Sequence, residues 1–185
     1  MAQTIPGSPN APDETLQCDA NGGIKNVIVF LADAPAAAAP ANATPVVLDQ
    51  VNCIYVPHVV AVQTGQPLIL KSSDNTMHNV QFQCVQNPPY NFGFPGPGSR
   101  QITLTAAEPP FRVKCGVHPW MTAWIGVFGH PYFDVTSVDG SFSISHVPPG
   151  TYTLAAWQEV LPQQQQTVTV TDATTTNVQF TFPSP

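Results

Sequence analysis

Charge is scarce in this chain. Of its 185 residues only five are lysine or arginine and eleven aspartate or glutamate, for a formal net charge of −6. The few cations are dispersed, so no basic stripe is offered to a phosphate backbone and nucleic acid is not an expected partner. Long apolar runs are also missing. Nothing approaches the roughly 20 residues that cross a bilayer as a helix, so no transmembrane segment is expected. The opening residues, Met1-Ala-Gln-Thr-Ile-Pro, lack a basic stretch followed by an apolar one, so the periplasmic or extracellular location we expect requires a signal peptide already removed. Glu108, Asp134 and Glu159 have no paired spacing suited to acid–base catalysis. CxxC and HxxxH pairs, the spacings of structural or hydrolytic zinc, are absent too. The expectation is a protein that is not an enzyme.

Proline and glycine are plentiful, at 21 and 12 residues, and 43% of the chain is apolar. A sizeable core can therefore be buried, and many short strands joined by turns suit this composition better than helices with charged outer faces. The fold class expected is all-β.

Residues 1–13, rich in Pro, Ser and Asn and without periodicity, read as a flexible N-terminal arm. Gly22-Gly then feeds a β-branched strand, Val27-Ile-Val-Phe-Leu31, and an Ala/Pro stretch from Asp33 reads as a linker, because Pro35 and Pro40 bracket too few residues for a helix. From Val46 strands follow closely: Val46–Leu48, Cys53–Val56, Val59–Val62, a turn at Gly65, Leu68–Leu70 and Val80–Phe82. The Gly65 turn is expected to fold two strands antiparallel and to bring His58 and Asp74–His78 to one end of a sandwich. A turn-rich crossover from Pro88 to Ser99 leads to Gln101–Thr105, Phe111–Cys115 and Trp124–Phe128. After His130 come strands at Tyr132–Thr136, Ser141–Ile144, Thr151–Trp157, Thr167–Val170 and Asn177–Phe182, divided by Asp-Gly and Pro-Gly turns and a polar link, Gln163–Gln166.

Chemistry concentrates in Cys115-Gly-Val-His118-Pro-Trp-Met121. A thiolate, an imidazole and a thioether in seven residues supply three of the four ligands of a blue-copper centre, and His78, in a polar turn, is the candidate for the second imidazole. Asn79 is a plausible tether to the loop, and Gly116 could offer its N–H to the sulfur. Pro119 and Trp120 would form an apolar rim for partner docking, with packing of Trp120 against a second sandwich as the alternative. His58 and His130 read as structural histidines, a second metal role being the alternative. Cys18, Cys53 and Cys84 allow one disulfide and one thiol, or three reduced cysteines.

These residues carry a resemblance. The segment from Tyr55 to His78-Asn79 resembles plastocyanin-type cupredoxins, and the Cys115–Met121 loop is similar to that of amicyanin; together the likeness covers about residues 44–129. It implies a Greek-key sandwich holding one type 1 copper by His78, Cys115, His118 and Met121, and passing single electrons between a redox-protein donor and acceptor by way of His118. A copper-binding structural or adhesion module, or a copper oxidoreductase subunit, are the alternatives. The remainder, residues 14–43 plus 130–185, resembles a transthyretin-like or carboxypeptidase-regulatory-like sandwich through Val138-Asp-Gly140 and Val147-Pro-Pro-Gly150, so the cupredoxin would be inserted into it. Asp49-Gln50-Val-Asn-Cys53-Ile-Tyr-Val-Pro57-His58 is also similar to a motif of exported bacterial plastocyanin-like proteins, which carry Trp-His-Glu where this chain has Trp157-Gln158-Glu159.

Overall fold

A computed structural model describes residues 11–37, 39–40, 42–172 and 174–183, and no helix occurs among them. Most of the segment read as an N-terminal arm, residues 1–10, lies outside the described residues. Thirteen strands follow in chain order: β1 (Ile28–Leu31), β2 (Val46–Val51), β3 (Ile54–Val56), β4 (Val59–Gln63), β5 (Pro67–Ser72), β6 (His78–Phe82), β7 (Asn91–Phe94), β8 (Gly98–Thr103), β9 (Glu108–Lys114), β10 (Thr122–Phe128), β11 (Phe133–Val135), β12 (Gly150–Trp157) and β13 (Gln164–Val170). They divide between two compact units. Ala37–Gly129, with the segment up to Glu14, forms the first, and Thr15–Ala36 with His130–Pro185 forms the second.

The first unit is a sandwich of a five-stranded sheet, ordered β4-β10-β9-β6-β7, and a four-stranded sheet, ordered β3-β2-β5-β8. Side chains alternate across each strand, so every second residue is available to the interior. Leu48 of β2, Leu68 and Leu70 of β5, Val80 and Phe82 of β6, Phe111 and Val113 of β9, and Ala123, Ile125 and Val127 of β10 use that alternation to meet in one core. Cys115 continues the inward run of Phe111 and Val113, and His78 continues that of Val80 and Phe82. Both are buried as a result, at 3% and 0% exposure.

Strand direction gathers these residues. Strand β10 pairs parallel with β4 and antiparallel with β9, which pairs antiparallel with β6. Strands β4, β6 and β10 therefore begin at the end of the sheet where β9 finishes, and His58, His78, Cys115 and Met121 share that end. The Gly65 turn reaches this outcome by another route than the expected hairpin. Strands β4 and β5 lie in different sheets, so the turn is a crossing between layers; its backbone is left-handed, φ 84°, and its N–H donates to the Leu104 carbonyl at 2.9 Å. The ends of the unit also meet: the Ala37 N–H donates to the Gly129 carbonyl at 2.7 Å.

The second unit is one sheet, ordered β11-β1-β12-β13, with β1 antiparallel to both β11 and β12. Val27, Val29, Leu31, Leu154, Ala156 and Val168 form its core. Its Asp139-Gly140 turn sits so close to Gly23 that a Cβ on Gly23 would stand 2.0 Å from the Asp139 carbonyl oxygen, which only glycine tolerates.

Several expected elements differ. The crossover from Pro88 to Ser99 contains β7, and β13 begins in the polar link, at Gln164. Neither Ser141–Ile144 nor Asn177–Phe182 forms a strand. Their alternating apolar side chains, Phe142, Ile144, Val178, Phe180 and Phe182, still pack on the core, but alternation without a neighbouring ladder makes no strand.

Candidate metal centre

The loop from Cys115 to Met121 is closed at its base by two hydrogen bonds: the Cys115 N–H donates to the Met121 carbonyl at 3.2 Å, and the Met121 N–H to the His118 carbonyl at 2.9 Å. Seven residues are thereby folded onto the end of the β9–β10 ladder. Met121 is buried, at 1% exposure, in the same core as Cys115, while His118 is half-buried and Pro119 exposed.

Three donors converge. The Nδ1 atoms of His78 and His118 stand 3.0 Å apart, and the Cys115 Sγ stands 4.0 Å from the first and 3.9 Å from the second. Two donors bonded to one ion at about 2.0–2.3 Å are at most roughly 4.3 Å apart, and all three edges fall inside that limit. One thiol and two imidazoles, with a buried thioether in the same loop, are the donor set that suits copper. The residues present fit the ion. Burial, and then the neighbouring His78, hold His118 below the ordinary imidazole range, although Asp74 opposes this. His118 is therefore neutral at pH 7, the form in which an imidazole binds metal.

Supporting hydrogen bonds orient the donors. The Asp74 carboxylate lies 2.9 Å from His78 Nε2, which leaves Nδ1 to face His118 and Cys115. The same carboxylate accepts the N–H groups of Asn52 and Cys53, at 2.7 and 2.9 Å. Burial pushes the Asp74 carboxyl up, but the Cys53 N–H, His78 and the Asn52 N–H outweigh it and hold it below its usual range. Asn79 joins the two sides of the site: its N–H points at the Cys115 sulfur at 3.5 Å, its Oδ1 accepts the Gly116 N–H, and its Nδ2 donates to Asn91 at 2.7 Å. The Asn79 carbonyl accepts from Tyr55 and Gln50, at 2.8 and 3.1 Å. The Gly116 N–H thus goes to the Asn79 side chain and not to the sulfur as expected, because the Asn79 oxygen is the stronger acceptor within reach. The sulfur takes the Asn79 N–H instead.

Trp120 packs beside His118 with the rings tilted at 56° and their centroids 5.1 Å apart, and its Nε1–H donates to the Cys53 carbonyl at 3.0 Å. Its polar edge is thus held inside its own unit. All four cysteines are free, so no disulfide forms. His58 is buried with Nδ1 3.9 Å from Glu14, and His130 accepts the Tyr132 N–H at 3.2 Å and stacks on its ring. Asp74 and Cys53 were not among the site residues read from the sequence. The spacing of Asp74 four residues before His78 was the one signal available for the first.

The site-bearing unit is a two-sheet β-sandwich. Among solved structures, the chain is similar to the Cu-containing nitrite reductase from Thermus scotoductus SA-01, at 22% identity and a TM-score of 0.42, over 51% of this chain and 25% of that one. It is also similar to amicyanin from Paracoccus versutus, at 20% identity and a TM-score of 0.40, over 54% of this chain and 96% of that one. A family model described as polysaccharide lyase family 4, domain II, matches residues 129–178. That match replaces the transthyretin-like reading of the later strands, which rested on Gly/Pro turn patterns common to many β-sandwiches. No curated protein matches the chain.

Proposed function

We propose that residues 37–129 form a mononuclear type 1 copper domain that carries single electrons between a redox-protein donor and acceptor, and that it interrupts the chain of a second, separate β domain. His78, Cys115 and His118 would hold the ion, with Met121 as a weak fourth ligand. The observation that carries this reading is the convergence of two imidazole nitrogens and one thiol within 4.0 Å of one another. Copper bound there supplies a one-electron couple, and a rigid scaffold lowers the reorganisation that accompanies it. The chain's own part is to hold its donors still. Asp74 fixes the tautomer and orientation of His78, Asn79 ties β6 to the ligand loop, and the hydrogen bonds within Cys115–Met121 fix the spacing of the rest.

Partners would approach on the His118 side. There Pro119 is exposed and Val117 is 45% exposed, and the small charge of the chain leaves apolar contact as the means of transient docking. The domain is read as a carrier and not an enzyme, in the periplasm or outside the cell; no helix among the described residues is long and apolar enough to cross a membrane.

Adding Cu(II) to the metal-free chain tests the proposal. The expected result is an intense thiolate-to-copper band in the visible with reversible voltammetry, reduced or abolished by Cys115→Ser. A colourless product, or a Cys115→Ser protein whose band is unchanged, would overturn it. Perturbation of the band by azide or nitrite would point instead to an open catalytic position.

A further inference from the structure

Cys53 supports the site through its backbone, by the Asp74 and Trp120 hydrogen bonds. Its Sγ and one ring nitrogen each of His78 and His118 lie within 4.8 Å of one another, so a second thiol stands beside the two imidazoles that meet Cys115. The position is built from both sides. Asn52 and Cys53 form the turn between β2 and β3, with φ of 54° and 57°, a left-handed pair in which Asn-Gly is the favoured sequence. Cysteine there is strained where glycine would not be. Two hydrogen bonds hold the strained residue: its N–H is taken by Asp74, the carboxylate that orients His78, and its carbonyl by Trp120, which lies between His118 and Met121. The thiol is committed to no disulfide. Burial, followed by Asp74 and Cys115, pushes it up, so it is protonated until a cation displaces the proton.

We propose that Cys53 is a ligand of the same ion, giving a centre of two thiolates and two imidazoles in which Met121 remains a weak, more distant donor. This rests on the copper reading above. Binding breaks the Cys53 S–H bond, forms a sulfur–metal bond and releases the proton to solvent, with no change of oxidation state. Edges of a tetrahedral set with bonds of 2.0–2.3 Å are roughly 3.5 Å, so the half-buried Cys53 thiol would have to close on the two imidazoles from its place within 4.8 Å of them. Two thiolates with two imidazoles suit closed-shell ions, Cu(I) and Zn(II). The centre would therefore hold its reduced copper tightly.

The full chain loaded with Co(II) decides the matter, because its thiolate-to-cobalt charge-transfer absorption grows with the number of bound thiolates. Wild type is compared with Cys53→Ser, Cys115→Ser and the double variant, with circular dichroism of each metal-free protein as the folding control. The expected result is a band reduced by about half in each single variant and lost in the double, with Zn(II) affinity at least tenfold weaker in Cys53→Ser by chelator competition. A Cys53→Ser protein with undiminished band and affinity, beside a Cys115→Ser protein with none, overturns the proposal and leaves the single-thiolate copper reading intact. The opposite pattern, a full band in Cys115→Ser and none in Cys53→Ser, overturns both. Should Cys53→Ser fail to fold, X-ray absorption of the Zn(II)-loaded wild type serves: two sulfurs at about 2.3 Å support the proposal and one overturns it.

Discussion

At the scale of single residues, the candidate site depends on groups that would not touch a bound ion. Asp74 bonds His78 through the nitrogen that faces away from the other donors, and partners of this kind are worth 10–100-fold in metal affinity. Asp74→Asn is therefore expected to weaken copper binding by about that factor in a chelator competition while the visible band keeps its position. Met121→Leu is expected to do the reverse, holding affinity roughly level and raising the potential measured by voltammetry, since a weak axial donor is removed. Asn79→Ala cuts the link between β6 and Gly116, and a loss of about 1 kcal/mol in urea unfolding is expected. The four candidate ligands were legible because strand alternation and loop spacing are local properties of sequence. Asp74 and Cys53 were not, since their place beside His78 depends on how the Asn52-Cys53 turn folds over the end of β6.

Among the elements, the turn at Gly65 sets the frame. It passes the chain from one sheet to the other, and among the described residues an added Cβ would meet only Ala39, at 4.0 Å. Gly65→Ala is thus a test of backbone conformation alone: a left-handed alanine costs about 1–2 kcal/mol, to be read as a lower denaturation midpoint with an unaltered copper spectrum. A turn residue announces a reversal in the sequence, but whether the reversal stays within a sheet depends on partners distant in the chain. The strands legible in advance are those rich in β-branched residues or alternating apolar ones, such as β4, β9 and β10. Strand β7 was hidden in a Pro/Gly-rich stretch because its Asn-Phe-Gly-Phe sequence draws its order from pairing with β6. Asn177–Phe182 has the alternation but no ladder.

For the whole molecule, acid is the weak direction. Burial pushes the Glu108 carboxyl up, yet hydrogen bonds from Val85 and Asn87 outweigh it and hold it below its usual range; Ser137 and Ser141 hold Asp139 down to about 2. Both carboxyls are lower in the folded state than in the unfolded chain, where they titrate near 4. The stability they contribute is complete above that range and is lost as pH falls through the folded values. Burial likewise holds His118 and His130 below the ordinary imidazole range, so urea midpoints of the metal-free chain are expected to decline from about pH 7 downward, as the unfolded imidazoles take up protons first, and to fall further below about pH 5; a flat profile to pH 3 would contradict this.

The hydrogen bond between Ala37 and Gly129 bears on how the chain is made. Strand β1 leaves the ribosome about 100 residues before β11 and β12, the neighbours it must pair with, whereas β2 to β10 emerge together in between. Joining ends so far apart carries a loop-closure entropy that grows with the logarithm of the intervening length. Once the intervening strands fold, Ala37 and Gly129 stand side by side and most of that separation is gone. Synthesis therefore favours an order in which the sandwich bearing the candidate metal centre forms first and hands the waiting strand β1 to the partners that arrive last.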